Sequence, residues 1–188
     1  MVYGIAKMLN FAHGDVIMIG AFVVLNALNV MNLPVIPAIL VAVVGCTVLG
    51  VVIERVAYRP LRNASSPLAV LITAIGVSYL LQNIALLIFG ADTVSFSNRI
   101  TLPALSLADG NLVISSVTIV TIVACIVIMA GLILFINKTK AGQAMLAVSE
   151  DKGAAQLMGI NVDGTIALTF AIGSALAAIA GFLLCTAY

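Results

Sequence analysis

The sequence predicts an all-α, polytopic membrane protein with about five transmembrane helices and a short pair of cytoplasmic helices. Two observations predict this class: 63% of the 188 residues are apolar and only 8% are charged, whereas a soluble domain carries roughly 45–50% and about 25%. The net charge of +1 offers no basic surface for nucleic acid, so the lipid bilayer is the expected partner. We therefore treat residues 1–188 as a single transmembrane domain.

Five apolar stretches approach the length of about 20 residues that a bilayer-spanning helix needs. They cover residues 16–32, 38–53, 68–90, 112–136 and 165–187. Pro34 and Pro37 separate the first two, because proline disfavours a helical conformation in the residue before it. The last stretch carries Gly173, Ala177 and Gly181 at four-residue spacing, which lets a neighbouring backbone approach closely. We expect this helix in the interior of the bundle.

The charged residues predict the orientation of these helices. Seven Lys/Arg fall in the N-terminal segment and in two polar segments, residues 54–67 and 137–164, whereas Arg99 is alone in the solvated loop predicted for residues 91–111. Positive charge is retained on the cytoplasmic side. The N-terminus and both basic segments are therefore expected in the cytoplasm, and the C-terminal end of the fifth helix on the opposite side.

The cytoplasmic segment 137–164 is itself predicted to contain two short helices. A mostly apolar stretch from residue 142 ends at a polar break whose side chains suit capping, and a second stretch from residue 152 ends where Gly159 suits the position just after a helix. The pair is more apolar than a solvated loop requires. It either docks into a partner's groove or packs against the chain's own helices or the lipid interface.

The hexapeptide NFAHGD at residues 10–15 precedes an apolar helix and follows an apolar segment. It either interrupts one longer membrane pass, as the broken helices of transporters do at their binding sites, or lies in the cytoplasm with Asp15 capping the next helix. Polar groups inside spans are costly unless they face a cavity or a partner. The candidate pathway residues are accordingly Asn10, His13, Asp15, Thr73, Gln82 and Asn83.

The sequence gives no sign of an enzyme, a metal site or a cofactor. His13, the only histidine, is two residues from Asp15 and so does not share a helical face with it. The three cysteines share no close spacing. Transport is the leading function class, an uncoupled channel or facilitator is the second, and an intramembrane enzyme is the weakest.

Four sequence blocks, taken in order, resemble the branched-chain amino-acid ABC transporter permeases, and in particular the H-type subunit of the high-affinity importer. They are NFAHGD at residues 10–15, ERVAYRPLR at 54–62, LITAIGVS at 71–78, and AVSED with LMGIN at 147–151 and 157–161. Family members normally carry a helix before the first block and several after Tyr188. The chain therefore resembles a permease without its first helix and its C-terminal helices.

The resemblance implies a multi-pass subunit of the bacterial inner membrane that imports branched-chain amino acids by alternating access. Its implied partners are a second permease subunit, cytoplasmic ABC ATPase subunits and a periplasmic amino-acid-binding protein. The ATPase is expected to couple to the segment 137–164 through Met145, Val148, Glu150, Asp151, Ala155 and Gly159. Related permeases carry urea and short amides, so these compounds and other small amino acids are alternative solutes.

Overall fold

The computed structural model describes residues 2–6, 10–61, 67–91, 105–107, 112–114 and 116–187. Within these ranges the chain forms eight α-helices and one small antiparallel hairpin. The helices are α1 (Val2–Ala6), α2 (His13–Asn29), α3 (Val35–Ile53), α4 (Pro67–Phe89), α5 (Ser116–Lys138), α6 (Lys140–Glu150), α7 (Lys152–Leu157) and α8 (Val162–Ala187). Strand β1 (Leu105–Leu107) pairs with β2 (Leu112–Ile114).

The predicted class, a polytopic helical membrane protein, is confirmed. In the described part of the chain, four helical segments are long and apolar enough to cross a membrane. They are Val35–Leu61, Leu68–Phe89, Ser116–Lys138 and Val162–Thr186. The helix His13–Asn29 is also apolar but shorter; at about 1.5 Å per residue its 17 residues extend about 25 Å, slightly less than the hydrocarbon core.

The second span starts earlier and continues further than the sequence predicts. Helix α3 begins at Val35, three residues before the predicted start. Pro37 is compatible with its first turn, because the N–H groups of that turn have no partner within the helix and the proline therefore removes no hydrogen bond. Beyond Ile53 the chain continues as a π-helical turn, Glu54–Tyr58, and a 3₁₀ turn, Arg59–Leu61.

The prediction of an aqueous loop from residue 54 is therefore wrong for its first part. Glu54 and Tyr58 are buried, whereas Arg55 and Arg59 in the same turns are exposed. In a helical backbone these residues lie on different sides, so a segment with four charges in nine residues can still be helical.

The fourth span starts later than predicted. Residues 112–114 form β2 instead of the first helical turn, because their backbone pairs with that of β1. Helix α5 begins at Ser116 and has no buried residue in the described structure. Most of the loop predicted for residues 91–111 lies outside the described residues.

Helix α8 is the centre of the bundle, as the sequence predicts. It packs against α2 and α3, which also pack against each other. A Cβ atom at Gly20 would lie 2.8 Å from the Cα of Ala178, and one at Gly181 would overlap the carbonyl oxygen of Ile17. The two backbones can approach this closely only because both positions are glycine.

We expect Gly181→Ala to destabilise the protein. The added methyl group would overlap the α2 backbone at Ile17, and overpacking of this kind typically costs about 1–3 kcal/mol. The measurement is the thermal unfolding midpoint of the purified membrane complex followed by circular dichroism, which should fall relative to the wild type.

Gly131→Ala is the matched control, because a Cβ atom at Gly131 of α5 meets nothing within 4 Å. Alanine has the higher helix propensity, so this variant should unfold at the wild-type temperature or slightly above it. Equal midpoints for the Gly181 and Gly131 variants would contradict the proposed close packing.

Candidate solute pathway and coupling segment

The backbone is interrupted between α1 and α2. Residues 10–12 are not helical, and the N–H of His13 donates to the carbonyl of Asn10 at 3.3 Å. Helix α2 has Ala12 at its N-cap position, without a side-chain capping bond. The alternative in which Asp15 caps α2 is therefore wrong, because Asp15 lies within the first turn.

Asp15 instead joins α2 to α4. The residue is 8% exposed, and its carboxylate accepts one hydrogen bond from the hydroxyl of Ser78 and another, of 2.9 Å, from Nε2 of Gln82. Nε2 of Gln82 also lies 3.3 Å from Oγ of Ser78. A hydrogen bond between membrane helices is worth about 0.6–2 kcal/mol, so this polar cluster contributes substantially to holding α4 against α2.

Among the predicted pathway residues, Asp15 and Gln82 are joined by a side-chain hydrogen bond, and Asn10 and His13 by a backbone one. The amide of Asn83 donates to the carbonyl of Tyr79 on its own helix, at 2.7 Å. Thr73 and His13 are half-buried. Sequence analysis did not select Ser78, although its four-residue spacing from Gln82 places both on one helical face.

Asn10 belongs to a second contact, at the end of α3. The hydroxyl of Tyr58 donates to Oδ1 of Asn10 at 3.0 Å, and the Tyr58 ring lies 5.2 Å from that of Phe170 on α8. Tyr58 is fully buried. It therefore ties the interruption before α2 to both α3 and α8, through a π-helical turn of the kind that is frequent at functional sites.

The two short helices predicted within segment 137–164 are confirmed as α6 and α7, and the polar break supplies the cap of α7 as expected, whereas α6 begins at Lys140, two residues before the predicted start. Thr139 caps α6 by accepting from the N–H of Gly142. Asp151 caps α7 by accepting from the N–H groups of Gly153 and Ala154, at 2.7 and 3.1 Å.

A Schellman motif ends α7. Gly159 has a φ of +81°, and the N–H of Ile160 donates to the carbonyl of Ala155. The glycine fits here because it adopts a positive φ without steric cost. Capping at both ends defines the length of α7 and the direction in which the chain continues into α8.

The apolar face of this helix pair packs against the chain itself. Met145, Val148 and Ala155 are 0–3% exposed, with α6 in contact with α1, α5 and α8, and α7 in contact with α6 and α8. Glu150, Asp151 and Gly159 are exposed. Half of the residues predicted to contact an ATPase are thus covered by neighbouring helices of the same chain.

The end of α7 carries two exposed apolar side chains. Leu157 is 91% exposed and Met158 is 82% exposed. Both belong to the apolar residues that make the predicted helix pair more apolar than a solvated loop requires, but they were not selected as ATPase contacts. Contiguous exposed apolar surface is a feature of sites that bind proteins or membranes.

Comparison with known proteins assigns this architecture to a family. The family model described as the permease component of branched-chain amino acid transport systems matches residues 1–188. The chain is 41% identical over 196 residues to the high-affinity branched-chain amino acid transport system permease protein BraD of Pseudomonas aeruginosa. It is 44% identical over 202 residues to the corresponding protein LivH of Escherichia coli.

Both alignments cover 98% of this chain and 63% of the relative, so the chain spans just under two thirds of the length of these curated relatives. No solved structure matches it. Since the family model covers every residue from the first to the last, the chain belongs to the family of branched-chain amino acid transport system permease components.

Proposed function

We propose that this chain is part of a permease subunit that moves branched-chain amino acids across the bacterial inner membrane by alternating access, driven by ATP hydrolysis in separate subunits. Its proposed partners are a second permease subunit, cytoplasmic ABC ATPase subunits and a periplasmic amino-acid-binding protein. The relatives are named for branched-chain amino acid transport, which favours these solutes over urea and short amides.

The observation that carries the proposal is the buried Asp15 carboxylate between two apolar helices. Ionisable residues in membrane-spanning segments are costly, and they commonly mark solute or ion pathways. Its neutral donors, Ser78 and Gln82, extend the polar surface onto α4. The proposed pathway residues are Asn10, His13, Asp15, Thr73, Gln82 and Asn83, with Ser78 added.

The contacts around α1 suggest how the pathway would respond to a partner. Helix α1 touches both α6 and α8, and the chain after α1 leads into the interruption that Tyr58 holds at Asn10. A displacement of α6 would therefore reach the start of α2, where Asp15 lies. In this proposal Met145, Val148 and Ala155 transmit the displacement by packing.

The exposed surface of the helix pair favours an ATP-coupled permease over an uncoupled facilitator. Leu157 and Met158 project from α7, on the side where the basic residues concentrate. An ATP-coupled permease needs a surface that contacts its ATPase, whereas an uncoupled facilitator does not. We propose that these two residues, with Glu150, Asp151 and Gly159, contact the ATPase.

Topology can be tested with single cysteines in a background without Cys46, Cys125 and Cys185. The positive-inside distribution predicts that Ala91→Cys, after α4, reacts with a membrane-impermeant maleimide in intact cells. Glu150→Cys should react only after permeabilisation. The reverse labelling pattern would invert the proposed orientation.

We expect Asp15→Asn to reduce leucine uptake at least tenfold at matched membrane abundance. Asparagine keeps an oxygen for hydrogen bonding but loses the charge, and interactions with a charged group are worth about 1.5–3 kcal/mol. Uptake of radiolabelled leucine by cells carrying the complete transporter is the measurement.

Thr47→Val is the control for this experiment. The Thr47 hydroxyl donates to the carbonyl of Val43 on its own helix, so its loss removes an intramembrane polar group without touching the Asp15 cluster. Uptake should stay within twofold of wild type. Wild-type uptake in the Asp15→Asn variant would remove Asp15 from the pathway.

Leu157→Glu should weaken association with the ATPase at least tenfold. Burying a leucine side chain at an interface contributes about 1.5–3 kcal/mol, and a carboxylate in its place cannot be buried without a partner. The amount of ATPase that co-purifies with the permease is the measurement.

Gln143→Glu is the control, because it adds the same charge at an exposed position of α6. This variant should change the amount of co-purified ATPase little. Equal losses in both variants would argue against contact at α7.

A further inference from the structure

A cavity of about 540 Å³ opens between the 3₁₀ turn after α3, the helix α7 and the first turns of α8. Its volume lies in the range of small-molecule sites, about 300–1,000 Å³. The cavity lies on different elements from the Asp15 cluster, which joins α2 and α4. It is therefore a separate site from the proposed pathway.

The cavity presents both signs of charge. Arg59 of the 3₁₀ turn and Asp163 of α8 form an ion pair, with Nη2 and Oδ2 2.9 Å apart, and Lys152 adds a second cation from α7. The Arg59 and Asp163 side chains are each about half exposed. An exposed ion pair of this kind is weak, and a guanidinium with five donors and a carboxylate with four acceptor positions can each bind a further group.

The remaining surface of the cavity is partly aliphatic. Ile160 and Val162, which are partly exposed, supply this part of its lining. Two amide side chains, Gln156 and Asn161, complete the polar part. The cavity thus combines a cationic part, an anionic part and a branched aliphatic wall.

We propose that this cavity binds a small zwitterion with an aliphatic side chain, an amino acid of the leucine type. The carboxylate of the ligand would bind Arg59 and Lys152, its ammonium group would bind Asp163, and its side chain would contact Ile160 and Val162. A simple anion such as phosphate would meet the repulsion of Asp163, and a simple cation would meet that of Arg59 and Lys152. A zwitterion satisfies both signs.

This inference goes beyond the proposed function, because it assigns a second amino-acid site outside the pathway. The site bridges α7 to the ends of two spans, on the face where the basic segments lie. A ligand of this site would enter from the compartment to which the end of α7 is exposed. Binding itself does not require the chain to transport anything.

The test is equilibrium binding of tritiated leucine to the complete membrane complex, purified in detergent without nucleotide or periplasmic binding protein. We expect saturable binding. The competitors 4-methylpentanoate, which lacks the ammonium group, and 3-methylbutylamine, which lacks the carboxylate, should each bind at least tenfold more weakly than leucine, as should inorganic phosphate.

Variants locate the binding. Arg59→Gln and Asp163→Asn should each raise the dissociation constant about tenfold, and Arg59→Lys should recover part of the loss because it keeps the charge. Lys152→Gln leaves the Arg59–Asp163 pair intact and should also weaken leucine binding. This variant tests the cavity even if the loss of the ion pair prevents folding. Lys138→Gln, a cation at the end of α5, is the matched control and should bind leucine as the wild type does.

The outcomes separate this site from the pathway. Binding lost in Asp15→Asn but kept in Arg59→Gln and Lys152→Gln would overturn the cavity proposal while supporting the pathway. Phosphate that competes as well as leucine would identify an anion site and would also overturn the cavity proposal. An absence of saturable binding up to 10 mM leucine, which corresponds to a binding free energy of about −3 kcal/mol, would overturn it as well. Failure of the proposed function would show instead in reconstituted transport, which is measured separately with the binding protein and ATP.

Discussion

The close contact of α8 with α2 is the constraint on which the rest of the bundle depends. At Gly20 and Gly181 the two helices approach until a single methyl group on either would meet the opposite backbone. In a bilayer, where lipid is as apolar as the side chains, such packing replaces the hydrophobic effect as the attraction between helices. Helix α3 then packs against both, which gives a three-helix core to which the other helices attach.

Helices α4 and α5 attach to this core in different ways. Helix α4 is joined to α2 through the carboxylate of Asp15, so the same group that is proposed to serve the pathway also holds a span in place. Helix α5 has no buried residue among those described and contacts mainly α6 and α8. Polar contacts thus position one peripheral span, while the other depends on its connection to the short helix pair.

Hydropathy and spacing predict the spans, the central position of α8 and the caps of α7, because each depends on local sequence. The polar contacts between helices were not predictable in this way. Tyr58 meets Asn10, and Ser78 meets Asp15, across 48 and 63 residues of sequence, and no periodic pattern encodes such a distance. The burial of Met145 was left open for a related reason: an apolar helix face looks the same in sequence whether it packs on its own chain or on a partner.

The π-helical turn after α3 has a consequence for how this region tolerates change in length. In this turn the N–H of Arg59 bonds to the carbonyl of Glu54, five residues back, where an α-helix would close over four. The turn therefore accommodates one more residue than regular helix geometry would. Because the π-turn closes over five residues what an α-helix closes over four, deleting a single residue within it would restore the α-helical repeat and leave the chain that follows in nearly the same orientation. The same deletion in the regular part of α3 would instead rotate everything after it by about 100° and separate Arg59 from Asp163, so the π-turn is the place in this span where a change of one residue in length is best tolerated.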